Sequence, residues 1–187
     1  MNLKTKTSKT LVAALATMPL LAALPAQAAA AGNATPLGLE IGVATCAAAR
    51  QKLGHAEEKP LGADTWLETS EAEQFYPDAT KVAVRCSGGR VIAVQIEASK
   101  GGMGNEGSRQ AYNTLAGKYK RVAGGPMPSL GNGYARFVAG NTVIEQSAPH
   151  LSFEFTITYF EKGFYEALNA SNDADRRRQD NKKSSAL

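Results

Sequence analysis

Two runs of alternating apolar and polar residues constrain the fold of this chain more than any other feature. In residues 81–86 the side chains of Val82, Val84 and Cys86 fall on one side, and residues 90–98 alternate again after a turn at Ser87-Gly88-Gly89. Alternation with period two predicts strands with one buried face, and a glycine turn between two such runs predicts an antiparallel hairpin.

The second half of the chain carries the strongest strand pattern. Five large apolar residues alternate with polar ones and are predicted to face a core: Leu151, Phe153, Phe155, Ile157 and Tyr159. Shorter strands are predicted at residues 63–68, 134–138 and 142–146.

Helices are predicted at residues 46–53, 108–120 and 163–170. The first is alanine-rich, with Thr45 as its N-cap and Gly54 at its end. In the second, apolar residues recur every four positions, which indicates one buried face.

The order of these elements predicts an α+β fold. A helix followed by three strands occurs twice, as tandem α-β-β-β units at 38–98 and 105–160 without residue-level repetition. Antiparallel strands with helices on one face give a two-layer domain. We expect one folded domain at 29–170 and a disordered, charge-rich tail at 171–187.

The first 28 residues read as a cleavable secretory signal peptide. Lys4, Lys6 and Lys9 precede an apolar stretch at 11–24, and Ala26-Gln27-Ala28 is a small-x-small cleavage site. The stretch is too short to span a bilayer. We therefore expect a periplasmic or secreted protein with no transmembrane segment in the mature chain.

The overall positive charge comes from the ends of the chain. Without residues 1–28, 18 Lys and Arg face 17 Asp and Glu; the body at 29–170 carries a net −1, and the tail carries +2. The body therefore lacks the basic footprint of a nucleic-acid-binding protein.

Cys46 and Cys86 are the only cysteines. A pair of thiols in an exported chain predicts one intramolecular disulfide. It would join the start of the first helix to the end of a central strand.

The sequence gives little indication of catalysis. Residues 102–107 spell G-x-G-x-x-G, but a dinucleotide site also needs a parallel βαβ unit and an acid about 20 residues later, and the next acid after Glu106 is Glu145. We predict no cofactor and no metal. A hydrolase using His55 or His150 remains an alternative because triads assemble in space. A small-ligand carrier with an apolar pocket under the sheet is another.

Residues 38–45 followed by Leu53-Gly54 follow the pattern apolar-Gly-x-x-Thr, short helix, Leu-Gly. This pattern resembles the opening of SmpA/BamE-like and β-lactamase-inhibitor-like domains, small exported bacterial proteins. The resemblance implies a helix-then-strands unit, held twice in the inhibitors, and a non-enzymatic protein-binding role. The chain lacks the lipidated N-terminal cysteine of the outer-membrane assembly members.

Four aromatic residues fall in or beside predicted connections and are candidate interface anchors: Trp66, Phe75, Tyr76 and Tyr134. Together with the lack of paired catalytic groups, they favour an exported, non-enzymatic module that binds another protein or an envelope component. The sequence leaves its oligomeric state open.

Overall fold

A computed structural model describes the backbone of residues 32–184 and the side chains of residues 32–181, so the signal peptide predicted at 1–28 lies outside the described residues. A 3-10 turn at Pro36–Gly38 leads into the fold. The helices are α1 (Cys46–Leu53), α2 (Glu106–Lys118) and α3 (Lys162–Ser184). The strands are β1 (Glu57–Leu61), β2 (Asp64–Thr69), β3 (Ala79–Ser87), β4 (Arg90–Ser99), β5 (Lys120–Gly124), β6 (Gly133–Ala139), β7 (Thr142–Ala148) and β8 (Glu154–Glu161).

The eight strands form one antiparallel sheet in the order β1-β2-β3-β4-β8-β7-β6-β5. Each half of the chain contributes one helix and then four neighbouring strands. The halves join edge to edge where β4 pairs with β8, with Gln95 opposite Thr158. The predicted α+β class with an antiparallel sheet is confirmed, and the tandem order is found with four strands in each unit where the sequence predicts three.

The two strands that the sequence analysis missed, β1 and β5, are the edges of the sheet. All five residues of β1 are exposed, and four of the five in β5 are exposed. A strand with neither face buried has no reason to alternate in polarity. Pro60 within β1 fits an edge position, where a missing N–H costs no ladder bond.

Local signals determine α1. The Thr45 side chain accepts a hydrogen bond from the Ala48 N–H at 3.1 Å, and Gly54 ends the helix with a φ of +64°. The predicted bounds are confirmed at both ends because the cap, the alanine run and the glycine all act within one turn.

Helices α1 and α2 lie on one face of the sheet, called here the covered face. Ala49 and Leu53 of α1 are buried there, and the Tyr112 ring of α2 packs 5.7 Å from that of Phe137. The buried strand residues of this face include Val84, Val94, Ile96, Ile144 and Ile157. The core is therefore the space between the two helices and the sheet.

The closing helix differs from the sequence expectation in position and length. It begins directly after β8, and its first turns contact Arg85 and Glu145 on the other face of the sheet, so not all helices share one face. It continues through Ser184, so the disorder predicted for 171–187 is wrong as far as that residue. Residues 164–184 contain no Gly or Pro to break the helix, and Asp173 and Asp175 pair with arginines three residues later. No helix among the described residues is both long and apolar enough to cross a bilayer.

Candidate binding surfaces

The face of the sheet opposite α1 and α2, called here the open face, presents the polar residues that alternate with the core. One row across it, from β1 to β5, contains Lys59, Trp66, Arg85, Ala93, Phe160, Val143, Val138 and Lys120. The next contains Glu57, Glu68, Ala83, Gln95, Thr158, Glu145, Arg136 and Ala123. A third contains Lys81, Glu97, Thr156, Ser147 and Tyr134.

Charges on the open face pair across neighbouring strands. Arg85 lies 2.6 Å from the Asp64 carboxylate, and Lys81 lies 2.9 Å from Glu97. Hydrogen bonding from Ser87 and the nearby Arg85 guanidinium lower the pKa of Asp64. Because these opposite charges lie next to one another, they produce little long-range electrostatic potential. A partner on the open face would therefore be recognised mainly by shape complementarity and hydrogen bonds.

The start of α3 covers the row that contains Phe160. The Arg85 guanidinium lies 4.5 Å from the centre of the Phe164 ring, and that of Arg136 lies 5.2 Å from the centre of the Tyr165 ring. The Tyr165 hydroxyl donates to Glu145 at 2.8 Å. Two cation–π contacts therefore hold the helix against the sheet, while side chains 169–181 are all exposed.

The structure separates the four predicted interface aromatics into two pairs. Trp66 and Tyr134 lie on the open face, on β2 and β6, and the Tyr134 side chain donates to Glu145 at 2.6 Å. Burial and Glu145 raise the pKa of Tyr134 to about 12. Phe75 and Tyr76 lie in the β2–β3 connection, half-buried against the core on the covered side. The four residues do not form one surface.

A more exposed apolar surface lies at one end of the sheet. Four large side chains in three loops, together called the apolar tip, are Met103, Leu130, Leu151 and Phe153. Their exposed fractions are 81%, 63%, 91% and 65%. Such apolar exposure on several adjacent loops is typical of an interaction site.

Polar contacts beneath the tip tie these loops together. The Asn105 side-chain amide donates to the carbonyls of Pro128 and Gly131 at 2.9 and 3.0 Å. The Lys100 N–H donates to the Phe153 carbonyl at 2.9 Å, and its ammonium group donates to the Pro149 carbonyl. Lys100 is 1% exposed, and burial lowers its pKa. The tip is thus presented by a hydrogen-bonded base.

Leu151 and Phe153 do not face the core, so the prediction made for them from the alternating pattern is wrong. Strand β8 begins at Glu154, opposite Ser99, where β4 ends. The preceding residues turn away, with the Ser152 N–H donating to the Pro149 carbonyl. Pro149 was the available signal, because it marks a turn just before the alternating run.

The glycine-rich segment before α2 has a structural role. A Cβ on Gly107 would lie 2.6 Å from the Ser99 carbonyl oxygen, and the Gly107 N–H donates to the Lys100 carbonyl at 3.0 Å. Gly107 thus allows the start of α2 to approach the end of β4. The strands on either side belong to an antiparallel sheet, which is not the setting of a dinucleotide fingerprint.

Cys46 and Cys86 are both buried and are free thiols in this structure. The two thiols are in hydrogen-bond contact, and burial together with this contact raises the pKa of Cys86 to about 12. The predicted disulfide is not formed here and stays a prediction for the oxidised protein.

The surroundings of the two histidines bear on the hydrolase alternative. His55 and His150 are exposed, and within residues 32–181 no side-chain hydrogen bond joins either imidazole to a serine or a carboxylate. The same part of the chain holds no group of three His, Cys, Asp or Glu placed to bind a metal ion.

No protein-family model, curated protein or solved structure matches this chain. Its function is therefore inferred from the geometry of these surfaces.

Proposed function

We propose that this protein is an exported, non-enzymatic binding module that engages another protein through the apolar tip. The observation that carries the proposal is the exposure of Met103, Leu130, Leu151 and Phe153 on three loops with a shared hydrogen-bonded base. Large apolar side chains on loops whose backbone is already fixed by hydrogen bonds require less ordering of the loops on binding, which suits them to anchor an interface.

Charge favours a protein partner over a lipid surface. Residues 29–170 carry a net −1, and Glu106 and Glu154 immediately follow two of the tip loops. An anionic membrane would attract a basic patch at this position. The open face beside the tip adds paired charges and hydroxyl groups, which are typical of the polar rim of a protein interface.

Site-specific photo-cross-linking in the native host tests the proposal. A photo-reactive phenylalanine analogue at position 153 is expected to give a discrete protein adduct. The same analogue at Val43 is the matched control, because Val43 is 55% exposed and lies beside the β3–β4 turn, at the opposite end of β4 from the tip. Purified wild-type protein should compete the adduct away, and the Leu151→Ser/Phe153→Ser variant should not.

Three outcomes contradict the proposal: no adduct at position 153, equal adducts at 153 and 43, or competition by the double variant equal to that by wild type. Flotation of the purified protein with anionic phospholipid vesicles, abolished by the double variant, would indicate a membrane surface as the target.

Export is part of the same proposal. Mass spectrometry of protein from the native host should find a mature chain that begins after Ala28. An intact Met1 in the folded protein would exclude it.

A further inference from the structure

A cavity of about 190 Å³ lies between α2, the Pro36 turn, the β2–β3 connection and the covered face. It is separate from both the apolar tip and the open face. Ile96, Ile157 and Leu115 are buried and form its inner wall. Phe75 and Tyr76, which the sequence analysis assigned to an interface, form part of its outer wall.

Three phenol groups line this cavity: those of Tyr76, Tyr119 and Tyr159. Tyr159 is only 8% exposed, and its hydroxyl group reaches the cavity surface, since Gln146 Oε1 is the one enclosed side-chain polar atom without a partner in the described residues. Burial raises the pKa of all three tyrosines, with the largest effect at Tyr159. The hydroxyl groups therefore stay protonated and available as neutral donors.

The cavity thus combines the apolar inner wall of Ile96, Ile157 and Leu115 with the phenol groups of three tyrosines. A ligand oxygen that accepts from one of these hydroxyl groups replaces water as its partner. Apolar walls with a few convergent polar groups are the usual composition of a small-molecule pocket.

Size and charge restrict what this cavity can hold. An apolar cavity of roughly 150 Å³ admits benzene, so about 190 Å³ leaves room for one ring and a small substituent. Lys118 is the only charged residue in its lining, and its side chain is exposed. A buried anionic head group would lack a cation beside it, whereas a neutral oxygen can accept from a phenol.

We propose that this cavity binds a monocyclic aromatic molecule bearing one carbonyl or hydroxyl oxygen, with the Tyr159 hydroxyl donating to that oxygen. The rings of Phe75 and Tyr76 supply aromatic contacts on the outer side. The site is independent of the proposed protein interface, since the two surfaces share none of these residues.

Fluorine NMR with the full mature chain tests this inference. The probe is 4-fluoroacetophenone, and fluorobenzene is the comparator that lacks the oxygen. Saturable binding of 4-fluoroacetophenone is expected, with fluorobenzene weaker by about fivefold because one hydrogen bond is lost.

Two variants and one control locate the binding. Tyr159→Phe keeps the shape of the cavity and should weaken the binding of 4-fluoroacetophenone by about fivefold, to the affinity that wild type has for fluorobenzene. Thr114→Trp fills the mouth from an exposed position on α2 and should abolish binding. Tyr134→Phe makes the same chemical change on the open face and should bind as wild type does. Circular dichroism of each variant checks that the fold is kept.

The inference is overturned if folded wild-type protein shows no saturable binding up to the solubility of the probe. It is also overturned if Tyr159→Phe binds as tightly as wild type, or if a folded Thr114→Trp variant retains binding. None of these results bears on cross-linking at the apolar tip, so failure here leaves the proposed protein-binding function to its own test.

Discussion

The two halves of the molecule share an order of elements but treat the apolar residues of their loops in opposite ways. In the N-terminal half, the β2–β3 connection turns inward, so that Ala72 is 1% exposed and Phe75 packs against the core. In the C-terminal half, Leu130, Leu151 and Phe153 point to solvent. The β2–β3 connection thus completes the core and walls a cavity, whereas the tip residues of the β5–β6 and β7–β8 connections are free for contact.

The halves also attach their helices to the sheet differently. Cys46 of α1 lies beside Cys86 of β3, two buried thiols. In α2, the Ser108 carbonyl accepts from the side-chain amide of Gln146 on β7 at 2.6 Å, and Gly107 contacts the end of β4. One half is suited to a covalent link and the other relies on close packing and a buried hydrogen bond.

Breaking the thiol pair should have the largest effect. Oxidised wild-type protein is expected to exceed the Cys46→Ser/Cys86→Ser variant by roughly 4 kcal/mol in free energy of unfolding, because the disulfide would close a loop of about 40 residues in the unfolded chain. Urea denaturation measures the difference. The reduced wild type is the control. Equal midpoints with and without oxidant, or two free thiols after export, would contradict the predicted disulfide.

The close approach at the start of α2 gives a matched glycine test. Gly107→Ala should destabilise the fold by about 2 kcal/mol, because its Cβ would lie 2.6 Å from the backbone oxygen of Ser99. Gly117→Ala in the same helix has no atom within 4 Å and should stabilise by up to ~1 kcal/mol. Thermal denaturation separates the two. A neutral Gly107→Ala would show that α2 does not depend on this contact.

Because the loops that carry Phe75 and Phe153 have opposite roles, replacing each phenylalanine by serine should lower the free energy of unfolding by different amounts. Phe75→Ser should destabilise the protein by roughly 1.5 kcal/mol, because it exposes part of the core. Phe153→Ser removes a side chain that is 65% exposed and should change stability by less than about 0.5 kcal/mol. Urea denaturation midpoints of the two variants measure this difference. Equal losses of stability would contradict the different roles assigned to the two loops.

The smallest expected effect concerns acid. The pKa of Asp64 is lowered in the folded state, so its contribution to stability is present above its unfolded pKa of about 3.9 and is lost as the pH falls through the lowered value. In the Asp64→Asn variant the free energy of unfolding should therefore fall less steeply with decreasing pH than in wild type. Denaturation curves between pH 5 and pH 2 provide the measurement, and identical curves for wild type and Asp64→Asn would contradict it.

Much of the fold could be predicted, because its signals are local. Thr45 and Gly54 gave both ends of α1, and the glycine turn at 87–89 gave the β3–β4 hairpin. The edge strands could not be predicted, because neither face of β1 is buried. The candidate surfaces were found only in part: Trp66 and Tyr134 share the open face, whereas Phe75 and Tyr76 belong to the cavity.

The sequence by itself determined the α+β class, the tandem order and most of the strand residues that face the core, since periodicity and caps act between near neighbours in the chain. Only the tertiary structure decided where the alternation stops being a strand. β8 begins at Glu154 because its neighbour β4 ends at Ser99, so Leu151 and Phe153 have no sheet to pack on. The same long-range strand pairing places the apolar tip at one end of the sheet and the tyrosine-lined cavity under the covered face. Local sequence patterns do not encode pairing between residues that are far apart in the chain.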